Sequence, residues 1–287
     1  MQKLLFVPKY GYQQIASHDH VNEMIVAPHG LRFSPRPMRE HIDASLRTLS
    51  NAVVPVISSE ILTGHPFYGG LESDVYAERL KTVAPNARIL LSIRAQNKAL
   101  VSIYMQYLLR GGTMTPKQFF EGETDIAYYA FRPEHFEYDL LVAHYQNLFG
   151  PDAVHVTTQE SLKTDMSAAA AEIAIFSDNT QFSGLEERDQ RVHAKSYPEY
   201  AVPVLRRINH VQSSTLNPNP IIALGQTPNG LYRAAGYVLK RPVIERILAR
   251  YQPVSAYVET RFRGHFTQSN RRLSELMRGR VDLSAYA

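Results

Sequence analysis

The chain has no cysteine among its 287 residues. Disulfides and thiolate metal sites are therefore excluded, and redox chemistry says nothing about compartment. Long apolar runs are also missing. No segment approaches the ~20 residues needed to cross a bilayer, and the first residues lack the charged, then apolar, then small pattern of a signal peptide. The compartment expected on that ground is cytoplasmic. Neither sign of charge dominates, with 31 Lys and Arg against 27 Asp and Glu and a net charge of +4. Outside 261–280 there is no dense basic block, so a nucleic-acid partner is not expected. The mild basic balance suits an anionic ligand and an ordinary soluble protein equally. Absent too are a Gly-x-Ser-x-Gly elbow, a Ser-His-Asp arrangement, a Gly-x-x-x-x-Gly-Lys loop, a dinucleotide fingerprint and any internal repeat. The length allows one large α/β domain or two small ones, and the chain is read as a single domain over 1–287.

The most informative stretch is Ala87 to Arg110. Ala87 to Ile93 is short and almost wholly apolar, which suits a parallel strand buried on both faces. The run ends at Arg94. A helical pattern follows, with Leu100, Ile103, Tyr104, Tyr107 and Leu108 on one face, and Gly111-Gly112 stops it. A guanidinium at the carboxyl end of a buried strand sits where open α/β sheets bind ligands. With the hydroxyl of Ser102, eight residues on, it is suited to grip a phosphate.

Further strands are expected at Val53 to Glu60 and Val154 to Thr158, and helices at Arg39 to Leu49, Ser73 to Val83, Tyr138 to Phe149, Val202 to Val211 and Arg241 to Arg250. Asp165 to Phe182 begins Ala-rich and helical. Strand–loop–helix units in this order favour parallel pairing with right-handed crossovers.

Arg94 with Ser102, flanked by Pro85-Asn86-Ala87 and Tyr104, resembles the 3′-phosphate-binding segment of bacterial-type sulfotransferases that use 3′-phosphoadenosine 5′-phosphosulfate (PAPS). Ser58-Ser59-Glu60-x-Leu62 after the Val53 strand is similar to the same family. So is the ordered run of Tyr138-Asp139-x-Leu141, Phe149-Gly150, Val154-x-Val156 and Glu160-x-Leu162. The C-terminal phrase from Ser269-Asn270 to Tyr286 resembles it as well. The resemblance covers most of the chain from Val53 onward. It implies a three-layer α/β/α fold with a parallel sheet, of the P-loop nucleoside-triphosphate-hydrolase type. It implies PAPS as co-substrate, a hydroxyl acceptor such as a carbohydrate, no metal, and Arg94 and Ser102 on the 3′-phosphate. It also makes Glu60 the candidate base, since sulfuryl transfer needs a group that removes the acceptor's proton. The alternative for Glu60 is a cap on the segment that follows.

The family's Lys/Arg-x-Gly-Thr-Thr phosphosulfate loop is not visible. In one reading Leu4 to Val7 is the first strand and Lys9 the cation of a degenerate loop. In the other, Met1 to Phe6 is the end of the helix after that loop, and the loop lies upstream. The alternative function is therefore a catalytically inactive relative that only binds. Three other features carry two readings each. His18-x-His20 reads as solvated before it reads as a metal pair. The aromatic group Tyr128, Tyr129, Phe131, His135, Phe136 and Tyr138 reads as core before acceptor pocket. Arg261-Phe262-Arg263-Gly264 reads as a solvated basic segment before a second grip on the 3′-phosphate.

Overall fold

The structure, a computed structural model, describes residues 5–125, 128–129, 131–190, 197–220 and 222–286. Among the described residues the strands are β1 (Tyr12–Ala16), β2 (Val54–Ile57), β3 (Ile89–Ile93), β4 (Glu123–Asp125), β5 (Tyr128–Tyr129) and β6 (Val154–Thr158). The helices of the first half are α1 (His18–Val21), α2 (Arg36–Thr48), α3 (Ser73–Val83), α4 (Gln96–Leu109), α5 (Pro116–Glu121) and α6 (Tyr138–Phe149). Those of the second half are α7 (Gln159–Thr164), α8 (Met166–Phe176), α9 (Val202–Asn209), α10 (Gly230–Leu239), α11 (Pro242–Leu248), α12 (Pro253–Phe262) and α13 (Thr267–Leu276).

Two parallel pairs form the strand layer, β1 with β2 and β3 with β6, while β4 and β5 make a small antiparallel hairpin. Alternation along β3 sets the layering, because successive side chains of a strand point to opposite faces. Leu91 and Ile93 join the main core with Leu100, Tyr104 and Leu108 of α4 and Val142 and Tyr145 of α6. Leu90 packs the other way, into a cluster with Tyr12, Val54, Val56 and the α8 residues Ala170 and Ile173. Helices thus cover both faces of the strands, the α/β/α layering expected. A third cluster, around Val21, Ile25, Met38 and Val83, holds α2 and α3 against Ala16 and Ile57 at the strand ends.

The helix α4 is the spine. Leu100, Tyr104 and Leu108 are fully buried, and the whole expected face lies in the core. Gly111 ends it with a φ of 92°, and a Cβ there would meet Ser214 Oγ at 1.9 Å. That combination admits only glycine.

Several expectations are corrected. Tyr12–Ala16 is a strand, although Gln13 and Gln14 give it no apolar alternation; pairing with Val54–Ile57 supplies the order that propensity does not. β2 therefore has its parallel partner within this chain. Leu5 to Val7 forms turns and not a strand, and Pro8–Tyr10 is a short 3₁₀ turn. Lys9 is engaged with Asp189 and, at 3.4 Å, with Glu186, so it is not the free cation of a phosphate loop. The helical reading of Met1 to Phe6 lies largely outside the described residues. Phe131, Phe136 and Tyr138 are core; the side chains of Tyr128 and Tyr129 lie outside the described residues.

Core packing also leaves a titratable signature. Gly70 lies against the His135 ring, where a Cβ would come within 2.2 Å of Nδ1. Burial holds the His135 imidazole down to about 4, with nearby His65 adding to the shift. His65 is lowered as well, by burial and then by Arg110. The folded state thus favours the neutral rings. The stability that His135 contributes is complete above pH ~6.5, the ordinary value, and is lost as pH falls from there toward about 4, where only the unfolded chain takes up the proton; His65 acts in the same direction. Urea titrations across that window should show stability falling by up to about 1.4 kcal/mol per pH unit from His135. His135→Asn should flatten the slope, and an unchanged slope in that variant would contradict the assignment.

Candidate functional site

The β3–β6 pair runs in register from Ile89 opposite Val154 to Ile93 opposite Thr158. The residues that follow each strand, Arg94 and Gln159 with Glu160, consequently emerge at one carboxyl-terminal edge. Arg94 is half-buried there. Its backbone carbonyl accepts the Tyr138 hydroxyl at 2.8 Å, while its Nε is buried with no hydrogen-bond partner. The next peptide turns into α4, whose N-terminal residue Ala95 offers no side-chain cap. Asn97 Oδ1 accepts the Lys98 N–H at 2.7 Å, so what favours an anion here is the helix dipole together with a guanidinium that has an unsatisfied donor.

Glu160 braces this edge. Its Oε2 accepts the backbone N–H of Ala95 at 3.3 Å and the Tyr286 hydroxyl at 3.0 Å, and its Oε1 lies 3.9 Å from Lys98 Nζ. Burial first, and then Glu160, push the Tyr286 phenol well above its ordinary range, so it stays a donor. Behind it, Gln96 Nε2 donates to Asn270 Oδ1 at 2.7 Å and to the Phe136 carbonyl at 3.2 Å, and Asn270 Nδ2 donates to the Tyr286 carbonyl. Gln96 and Asn270 are both buried. This network pins the C-terminal segment against the start of α4.

Between α4, α7, the end of α12 and the C-terminal segment lies a cleft of about 1340 Å³. Arg94 and Ser102 both line it, and so do Lys98, Lys163, Arg263 and Gly264. Two carboxylates share the lining, and both are engaged. Glu199 accepts the backbone N–H groups of Val254 and Ser255 at 3.1 and 2.7 Å, and Glu259 lies 3.7 Å from Arg263. The cleft is left with an excess of positive charge. Arg263-Gly264, read from sequence as solvated first, reaches the same space as Arg94.

Glu60 stands elsewhere. It opens a 3₁₀ turn at the end of β2, is exposed, and is not among the residues that line the cleft. Beside it, Ser59 Oγ lies 2.9 Å from His18 Nδ1. The end of β1 is closed on itself: Ser17 Oγ accepts the His20 N–H at 3.1 Å, and His20 Nδ1 accepts the Ser17 N–H at 3.4 Å. Among the described residues no group of three or more His, Asp or Glu is placed to hold a metal ion.

Lys98, Lys163 and Tyr286 were not singled out as site residues from the sequence, and neither was Glu160. Glu160 follows its strand much as Arg94 follows β3, and the rule that found one points to the other. Lys98 and Lys163 carry no comparable signal, because their place depends on how α4 and α7 face each other.

No known protein family matches the chain, and no curated protein matches it in sequence. Among solved structures, a sulfotransferase from Alicyclobacillus acidocaldarius aligns with 99% of this chain and 84% of its own, at 13% identity and a TM-score of 0.49. At that overlap the likeness decides neither fold nor function. No described helix is long and apolar enough to cross a membrane.

Asn270→Ala removes the hinge of the buried network and leaves Gln96 and the Tyr286 carbonyl short of a partner. The cost expected is about 1–3 kcal/mol, read by urea unfolding. A variant as stable as the parent would show that the network does not hold the C-terminal segment.

Proposed function

We propose that the cleft binds the 3′-phosphate of an adenosine 3′,5′-bisphosphate group, and that the chain is a sulfotransferase using PAPS. The observation that carries this reading is the meeting of Arg94, Ser102 and Arg263-Gly264 in one cleft at the carboxyl end of a parallel strand pair. The buried, unpartnered Arg94 Nε fits a phosphate oxygen. Lys98 and Lys163 add charge for a ligand with several phosphates, and Tyr286 and the C-terminal segment wall it in.

In the reaction, the acceptor hydroxyl oxygen forms a bond to sulfur as the bond from sulfur to the bridging oxygen of the 5′-phosphate breaks. The acceptor proton passes to a base, and adenosine 3′,5′-bisphosphate leaves. Glu60 is the base proposed, on its place at the carboxyl end of β2 and its exposed carboxylate. A carbohydrate hydroxyl is the acceptor class proposed.

One observation favours the second reading, a nucleotide-binding protein that does not catalyse transfer. A phosphosulfate loop needs free backbone N–H groups at a helix start. After β1 the Ser17–His20 capping box already uses two of them. The 3′-phosphate end of the ligand thus fits the residues present better than the sulfuryl end does.

Calorimetry should show binding of adenosine 3′,5′-bisphosphate. Arg94→Ala should weaken it by roughly 10–100-fold, the loss of one charge-assisted contact of about 1.5–3 kcal/mol. Adenosine 5′-monophosphate, which lacks the 3′-phosphate, should bind weakly to both. Equal affinity for the two nucleotides would overturn the reading. With PAPS as donor, Glu60→Gln should lower kcat at unchanged nucleotide affinity, and an unaltered kcat would move the base elsewhere. Tight nucleotide binding with no transfer to any hydroxyl acceptor tried would select the inactive reading.

A further inference from the structure

The face that α10 and α11 turn to solvent is unusual for a water-facing surface. On α11, Ile244 and Leu248 pack inward against the cluster of Tyr200, Ala201, Leu205 and Tyr232. Val243 and Ile247, four residues apart and hence on one face, are 70% and 73% exposed. Arg246 and Arg250 follow each of them by three residues and are also exposed, so apolar and cationic side chains alternate along that side. At the junction between the helices Tyr237 is 70% exposed, with the Arg241 guanidinium 5.7 Å from its ring centroid.

The charge of the segment is one-sided. From Gly230 to Gln252 it carries Arg233, Lys240, Arg241, Arg246 and Arg250 against Glu245 alone. None of the five cations forms an ion pair among the described residues. Exposed aliphatic side chains ringed by cations, with an exposed tyrosine beside them, match what inserts at the headgroup level of a bilayer. The other occupants fit less well. A second copy meeting this face symmetrically would set Arg246 and Arg250 against their own equivalents. A nucleic-acid backbone would use the cations and leave Val243 and Ile247 without a role.

We propose that α10 and α11 form a docking surface for an anionic lipid bilayer, on which the chain sits peripherally. Val243, Ile247 and Tyr237 enter the interface, and the flanking arginines lie among the headgroups.

The test uses the full chain and sedimentation with vesicles of phosphatidylcholine alone or mixed with phosphatidylglycerol. Partition onto the anionic vesicles should exceed that onto neutral ones by roughly 10–100-fold, as several cations near an anionic surface produce. It should weaken toward ~1 M salt, where the Debye length is ~3 Å. Val243→Ser with Ile247→Ser, both at exposed positions, should reduce it ~10-fold or more, and so should Arg246→Glu with Arg250→Glu. No binding of the native chain to anionic vesicles at low salt overturns the proposal and leaves an acidic protein as the occupant. Binding unaffected by the two serines also overturns it, because the surface would then act by charge alone. Arg94→Ala should leave vesicle binding unchanged; a loss there would put the lipid headgroup in the cleft and contradict the surface assigned.

Discussion

The in-register parallel pairing of β3 with β6 governs the site, because it decides which residues share an edge. Both strands end together, so Arg94 and Glu160 are delivered to the same place by backbone hydrogen bonds and not by side-chain chance. Each then does something different. Arg94 keeps a buried donor without a partner. Glu160 ties the start of α4 to Tyr286 and stands beside Lys98. A slip of one residue would turn Leu91 and Ile93 out of the main core. The core packing of α4 and α6 on β3 thereby also protects the geometry of the cleft.

The other parallel pair ends in a different chemistry. Where β3 and β6 finish in an arginine, a helix start held by Glu160 and a cleft with excess positive charge, β1 and β2 finish in a capping box, a His18–Ser59 contact and an exposed Glu60. The two edges therefore offer different chemistry, cations at one and hydroxyl, imidazole and carboxylate groups at the other.

Legibility followed local signal. The helices Ser73–Val83 and Tyr138–Phe149 and the strand Val154–Thr158 stand where the sequence places them, because an apolar period and a clear stop mark each. Arg94 and Ser102 were singled out by the same logic, one at the end of an apolar run and the other on the helix after it, and both line the cleft. β1 was missed because Tyr12-Gln13-Gln14-Ile15-Ala16 has no alternation to read, and its order comes from pairing with residues some forty positions away. The long-range partners Tyr286 and Asn270 were visible as a phrase but not as part of a site. Nothing in one sequence says that the C-terminal segment returns to the start of α4. Arg263 is largely exposed, as its charged stretch suggests, and also borders the cleft, which only the fold shows.

The most direct measurement is a crystal structure of the chain grown with adenosine 3′,5′-bisphosphate. The account predicts the 3′-phosphate within hydrogen-bond distance of Arg94 and Ser102, with Arg263 and the backbone near Gly264 on its other side and Tyr286 still bound to Glu160. A nucleotide seated away from the carboxyl edge of β3 and β6, or one whose 3′-phosphate touches neither Arg94 nor Ser102, would contradict it.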